Sequence, residues 1–70
     1  MIRYAVKVLT TDGVIKYESI GKGLVSDPQD AHLYTRIALA EKKSAYYNRA
    51  AAKPWYEWAQ VVEVIVTGLY

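Results

Sequence analysis

Alternating side chains in residues 2–10, followed at once by Asp12-Gly13, constrain the fold more than any other feature of this chain. Apolar, aromatic and β-branched residues recur at every second position, and this period of two is typical of a strand. The Asp-Gly pair favours a two-residue hairpin loop, because a type I′ turn needs positive φ at both central positions. A second strand is therefore predicted over residues 14–20.

The length of this loop predicts the register of the hairpin. With a two-residue loop, Val8 lies opposite Tyr17 and Lys7 lies opposite Glu18. Opposed residues share one face of an antiparallel sheet. This register would place an apolar pair inside and an oppositely charged pair outside, so we predict that Val8 pairs with Tyr17.

A helix is predicted to begin near residue 28. Asp27 is a favourable N-cap and Pro28 suits the first helical position, while Ser26 with Gln29 as a capping box is an alternative start. An apolar stripe at helical spacing follows, and the helix should end somewhere between residues 47 and 52. The stripe consists of Ala31, Tyr34, Ile37, Ala38 and Ala45.

The last strand is predicted over residues 58–67. Because this segment is apolar on nearly both faces, it indicates a central strand or one buried on both sides. The order strand, strand, helix, strand predicts an α+β fold of β-β-α-β type. Its three-stranded antiparallel sheet would have the order 2-1-3, with the helix on one face, and residues 1–70 would form a single domain.

The sheet face away from the helix is predicted to be mixed in character. A half-apolar exposed face often marks a contact, and a chain this short has a small core. We therefore expect a homodimer, formed through this face or through the edge of the second strand. The residues predicted on this face are Arg3, Ala5, Lys7, Leu9, Lys16, Glu18, Glu63 and Ile65.

Composition argues against several classes of protein. The 70 residues include no cysteine and one histidine, which excludes a disulfide framework, a cysteine-based zinc site and a multi-histidine metal site. No apolar run approaches the roughly 20 residues of a membrane-spanning helix, and no signal peptide is recognisable. We expect a cytoplasmic protein in a bacterial host cell, without a cofactor and without membrane association.

Few residues offer catalytic chemistry. Asp27 and Asp30 are explained as cap and helix-dipole partners, and the lone His32 as a boundary residue rather than a general base. The segment 21–23, Gly-Lys-Gly, is too short for a P-loop and is predicted to form a turn. The chain is therefore predicted not to be an enzyme.

The aromatic residues carry the main functional signal. Seven are Tyr, two are Trp and none is Phe. Tyr and Trp have a polar end that needs a partner or water, and with Arg they are enriched at binding hot spots. Five of them fall within residues 46–58, so at least two should be exposed; packing at the core edge is the alternative role. The predicted partner-binding residues are Tyr46, Tyr47, Arg49, Lys53, Trp55, Tyr56 and Trp58, with Trp55 or Tyr56 at the centre.

Basic residues accompany this aromatic cluster. Residues 42–53 contain Lys42, Lys43, Arg49 and Lys53 and no acid. A basic stretch beside aromatic rings can bind single-stranded nucleic acid by stacking and phosphate contacts. Basic residues near a helix end also interact favourably with the helix dipole. A small nucleic-acid-binding module is thus the alternative function.

Two short motifs give the chain a resemblance to small proteins encoded by phages and prophages. These are Asp30-Ala31-His32-Leu33-Tyr34, expected on the helix that follows a Gly-turn hairpin, and Val62-Glu63-Val64 in the closing strand. The resemblance implies a host-takeover or anti-defence factor, anti-CRISPR-like in its action, that binds and blocks a bacterial protein. We therefore expect a non-enzymatic inhibitor of a bacterial defence or nucleic-acid-processing protein.

Overall fold

A computed structural model describes residues 1–49 and 54–66. Within these residues, four strands, one turn of 3₁₀ helix and one α-helix follow one another along the chain. They are β1 (Ile2–Thr10), β2 (Ile15–Ser19), β3 (Gly23–Val25), the 3₁₀ turn (Pro28–Asp30), α1 (Ile37–Asn48) and β4 (Tyr56–Ile65).

The strands form one antiparallel sheet in the order β3-β2-β1-β4. The α+β class, the single helix and the relative order of the three predicted strands are confirmed. The prediction of only three strands is wrong, because β3 pairs with the outer edge of β2. Strand β3 therefore covers residues 17–19 of the β2 edge, one of the two places where the sequence predicted a homodimer contact.

The hairpin loop is one residue longer than predicted. The Thr10 N–H donates to the Val14 carbonyl at 2.9 Å, which closes a three-residue loop. Gly13 takes φ of +85° and no described non-glycine residue has positive φ, so a type I′ turn over Asp12-Gly13 is excluded. Val8 consequently pairs with Lys16 instead of Tyr17, and the predicted register is wrong.

This shift by one residue moves side chains of β2 to the opposite face. Tyr17 pairs with Lys7 and so lies on the face away from α1, which we call the open face. Glu18 lies on the helix side, where it is buried and accepts a hydrogen bond from the Tyr34 hydroxyl at 2.6 Å. The predicted outward pair of Lys7 with Glu18 is therefore not formed.

The core lies between the sheet and α1. On β1, Val6 and Val8 are fully buried, and in the register with β4 they lie opposite Val61 and Ala59. The helix contributes positions spaced by four and three residues, as expected for one buried face. The buried helix residues are Ala40, Ser44 and Tyr47.

Four residues predicted on the open face lie on the helix side. Arg3, Ala5, Lys7 and Leu9 of β1 do face away from α1, as expected. The β4 register instead places Val62 and Val64 on the open face. There they line an apolar groove that the segment around Leu33 partly covers. The four misplaced residues are Lys16, Glu18, Glu63 and Ile65.

The α-helix begins nine residues later than predicted, at Ile37. Asp27 does cap a helical turn by accepting the Gln29 N–H at 2.9 Å, but this turn ends at Asp30. Tyr34 then pairs with Tyr4 through two backbone hydrogen bonds of 2.7 and 2.9 Å. Because this pairing needs extended backbone, it prevents the helix from continuing through these residues.

Strand β4 lies at the edge of the sheet that the described residues form, where its one neighbour is β1. The prediction of a central strand is wrong, and its two apolar faces are explained by the core on one side and the open-face groove on the other. The strand also begins at Tyr56, two residues earlier than predicted. Its predicted last residue, Thr67, lies outside the described residues. Within the described residues, no helix is long and apolar enough to cross a membrane.

Candidate functional site

The predicted binding residues do not form one surface. Tyr47 is only 9% exposed, and its ring packs against Tyr56 with centroids 5.1 Å apart, so both help to close the core. Trp58 pairs with Leu9 and lies on the open face, on the other side of the sheet. Trp55 is 63% exposed, as predicted. Lys53 lies outside the described residues.

Tyr46 is an exposed aromatic residue with two basic side chains beside its ring. Its ring is 50% exposed, and it contacts the Tyr47 ring edge-on. The Arg49 guanidinium lies 3.7 Å from the ring centroid, and the Lys43 ammonium lies 5.7 Å from it. Both distances are within the range of cation–π attraction, so the sequence pattern of Tyr beside basic residues corresponds to a real spatial cluster.

Exposed aliphatic residues extend this cluster towards β2. A concavity of about 410 Å³ lies between the helix and the end of β2. Ile20 and Leu39 line it and are 63% and 49% exposed, which is high for large apolar side chains. We call this surface the Tyr46 patch; it consists of Ile20, Leu39, Lys42, Lys43, Tyr46 and Arg49.

Sequence reasoning missed the aliphatic half of the Tyr46 patch. Leu39 lies outside the apolar helix stripe that the sequence predicted, and Ile20 was assigned to a strand but ends in the turn after β2. The helix residues of the patch are Leu39, Lys42, Lys43 and Tyr46. Their spacing of i, i+3, i+4 and i+7 would by itself have placed them on one face of the helix. Ile20 could be joined to that face only once the hairpin register was known.

A buried polar cluster supports the floor of the Tyr46 patch. Tyr34 also lines the concavity, and its hydroxyl donates to the Glu18 carboxylate. Burial and this contact raise the pKa of the Tyr34 hydroxyl well above its usual range. Burial, with the charge of Glu18 nearby, raises the pKa of Tyr47 to about 12. Both tyrosines are therefore neutral at physiological pH and act as fixed polar residues of the core.

A second apolar concavity lies on the open face. It has a volume of about 370 Å³, and the 3₁₀ turn forms one wall of it. Ala5 is buried at its base, while Tyr17 and Leu33 at its sides are half-buried. Because the segment from Pro28 to Leu33 already covers part of this face, it is less exposed than a bare sheet. The homodimer expected through this face stays a prediction.

The described residues offer little for catalysis. His32 packs its ring edge-on against Tyr34, at 4.5 Å between centroids. No three His, Cys, Asp or Glu side chains among residues 1–49 and 54–66 come together as a metal site would require.

Comparisons with known proteins give no relative. No protein-family model matches the chain, and no curated protein or solved structure is significantly similar to it.

Proposed function

We propose that this chain is a non-enzymatic binding protein that contacts another protein through the Tyr46 patch. The observation that carries the proposal is the convergence of three exposed large apolar side chains, Ile20, Leu39 and Tyr46, on one concavity with basic residues around it. An apolar centre with a polar rim, containing Tyr and Arg, is the composition of a protein-binding hot spot.

The charge of the patch indicates the partner's chemistry. Lys42, Lys43 and Arg49 all belong to it, and no acidic residue in the described part of the chain lines the concavity. A complementary surface would present an apolar side chain for the concavity, with Asp or Glu around it. The resemblance to phage-encoded proteins supports the narrower proposal that this partner is a bacterial protein, which the chain inhibits or redirects.

Affinity capture with matched variants tests the proposal. Wild-type protein and the variants Tyr46→Ala, Trp55→Ala and Gln60→Ala are immobilised, and the proteins that each retains from bacterial lysate are identified and then titrated. Tyr46→Ala should weaken binding of the partner by about 2 kcal/mol, or roughly 30-fold. Gln60→Ala, an exposed change on the open face, should leave the affinity unchanged.

The same experiment separates the competing outcomes. A selective loss with Trp55→Ala would move the binding site to the residue that the sequence predicted. Equal retention by wild type and Tyr46→Ala, with both folded by circular dichroism, would overturn the Tyr46 patch. The inhibition proposal needs a further measurement: the partner's own activity should fall when wild-type chain is added and persist with Tyr46→Ala.

Single-stranded nucleic acid is the second candidate, supported by the basic side chains around Tyr46. Arg49 already covers one face of that ring, and Trp58 lies across the sheet, so successive bases would lack a continuous stacking platform. A salt titration with a labelled single-stranded oligonucleotide decides between the two. A steep loss of affinity with salt, reduced by Lys43→Ala, would favour nucleic acid.

A further inference from the structure

The free edge of β4 carries a second surface, separate from the Tyr46 patch. In an antiparallel pair, successive residues direct their backbone N–H and C=O alternately towards the neighbouring strand and away from it. The N–H and C=O of Ala59 both bond to the Asn48 side-chain amide at 2.8 Å. These two groups of Ala59 therefore point away from β1. The residues two, four and six positions later, which are Val61, Glu63 and Ile65, therefore present the same groups outward.

These outward groups are open among the residues that the structure describes. Asn48 closes the edge only at Ala59, and no hydrogen bond from residues 1–49 or 54–66 reaches the outward backbone of the next three alternate residues. The stretch from Val61 to Ile65 has no proline, no lysine and no bulge, which are three of the usual protections of an edge strand, and Glu63 is its single charged residue. It is thus a template onto which another strand can be added.

A groove runs beside this edge. It has a volume of about 480 Å³ and lies between α1 and β4, on the flank of the helix opposite to the Tyr46 patch. Ile37 and Ala45 of the helix give it apolar surface, and Ile65, further along the same face of β4, is 76% exposed. An added strand would place every second side chain over these residues.

The charge of the groove distinguishes between occupants. Among residues 1–49 and 54–66, its ionisable side chains are Glu41 and Glu63, and no basic residue lines it. Two copies of this chain paired over residues 61–65 would set the two Glu63 side chains directly opposite each other, and such like-charge pairs are destabilising. The groove therefore favours a basic strand over a second copy.

We propose that this edge binds an extended segment of another protein by strand addition, with Lys or Arg opposite Glu63. The segment pairs antiparallel, as all strands of this sheet do. Apolar residues two positions before and after the basic one lie opposite Val61 and Ile65. Main-chain hydrogen bonds supply affinity, and the alternate side chains supply specificity, as in other cases of strand addition.

Amide hydrogen exchange with a synthetic peptide tests this proposal. The probe is a short peptide of alternating valine and threonine with one central lysine. In the free protein, the amides of Val61, Glu63 and Ile65 should exchange faster than those of Val62 and Val64, which bond to β1. Saturating peptide should slow the three outward amides. A peptide with N-methyl groups on alternate residues, unable to pair, should have no effect.

Charge reversal supplies the specificity control. Glu63→Lys should weaken binding of the lysine peptide by about threefold to tenfold and should improve binding of the same peptide with glutamate at its centre. Lys7→Ala, on the open face, should change neither affinity. Exchange that is already slow in the free protein, or peptide-induced protection elsewhere in the chain, would overturn the proposal. An unchanged peptide preference in folded Glu63→Lys would overturn the charge assignment.

Discussion

Replacing Asn48 with alanine tests whether one side chain stabilises the junction between the helix and the sheet edge. Asn48 is the last residue of α1, and its amide makes two hydrogen bonds of 2.8 Å to the backbone of Ala59. Ala59 is buried with the amide in place, but Asn48 itself is exposed, so water can reach the Ala59 N–H and C=O once the amide is removed. The change affects two hydrogen bonds and, as a substitution near a helix end, little else.

The magnitude follows from these contacts. Each hydrogen bond contributes about 1 kcal/mol net. Alanine returns up to roughly 0.7 kcal/mol through its higher helix propensity. Asn48→Ala should therefore lower the free energy of unfolding by about 1–2 kcal/mol, a large part of the roughly 3–5 kcal/mol available to a domain of this size.

Urea unfolding followed by far-ultraviolet circular dichroism measures this loss. Asn48→Asp keeps an acceptor for the Ala59 N–H, but its carboxylate faces the Ala59 carbonyl and carries negative charge at the C-terminal end of α1, so it should be no more stable than Asn48→Ala. Lys42→Ala, an exposed change on the same helix, should stay within about 0.5 kcal/mol of wild type. If Asn48→Ala proves as stable as Lys42→Ala, the amide does not stabilise the edge and the reasoning fails.

Four further outcomes are expected. Gly13→Ala should destabilise the protein by about 1 kcal/mol in thermal unfolding, because the backbone φ of +85° at this position disfavours any side chain. The new methyl group would meet no atom within 4 Å, so the loss comes from the backbone alone. An unchanged melting temperature would contradict this. Tyr34→Phe should cost about 1.5–3 kcal/mol in urea, since it removes the hydroxyl that donates to buried Glu18, and a loss below 0.5 kcal/mol would contradict it. The free energy of unfolding should fall as pH rises from about 10 to 12, because unfolded Tyr47 releases its proton near pH 10 and folded Tyr47 near 12; Tyr47→Phe should make the decline shallower. Light scattering at micromolar concentration should detect the homodimer expected through the open face, and a monomer alone would refute it.

The hairpin shows what a sequence pattern can and cannot predict. Alternation identified both strands, and Asp12-Gly13 located the turn between them. Loop length was decided by Asp12, which keeps negative φ, and by Thr10, whose side-chain oxygen accepts the Val14 N–H in the wider loop. One added residue then reversed the faces of β2, which is why Glu18 was predicted outside the core that it occupies.

The predicted helix start was wrong, and the predicted binding residues were not all brought together, for a related reason. Good capping residues at 27 and 28 predicted the start of a helical turn correctly, yet Tyr34 gains two backbone hydrogen bonds by pairing with β1. The backbone hydrogen bonds between Tyr34 and β1 thus outweigh the local helix preference of these residues. In the same way, Tyr56 and Trp58, which are close in sequence, were grouped as one surface, although the irregular register near the start of β4 places Tyr56 against the core and Trp58 on the open face.

The position of β1 between β2 and β4 has a consequence for the rate of folding. The hairpin partner of β1 follows after a three-residue loop, whereas its other partner is distant: Met1 and Val66, which share backbone hydrogen bonds, are 65 residues apart. Closing so long a loop has an entropic cost that must be met before the contacts within it form, and non-local pairing slows folding. Helix α1 packs on both β1 and β4, so the core is incomplete until β4 docks. Folding should therefore proceed from an early, weak hairpin to a slower step in which β4 and α1 join β1 together.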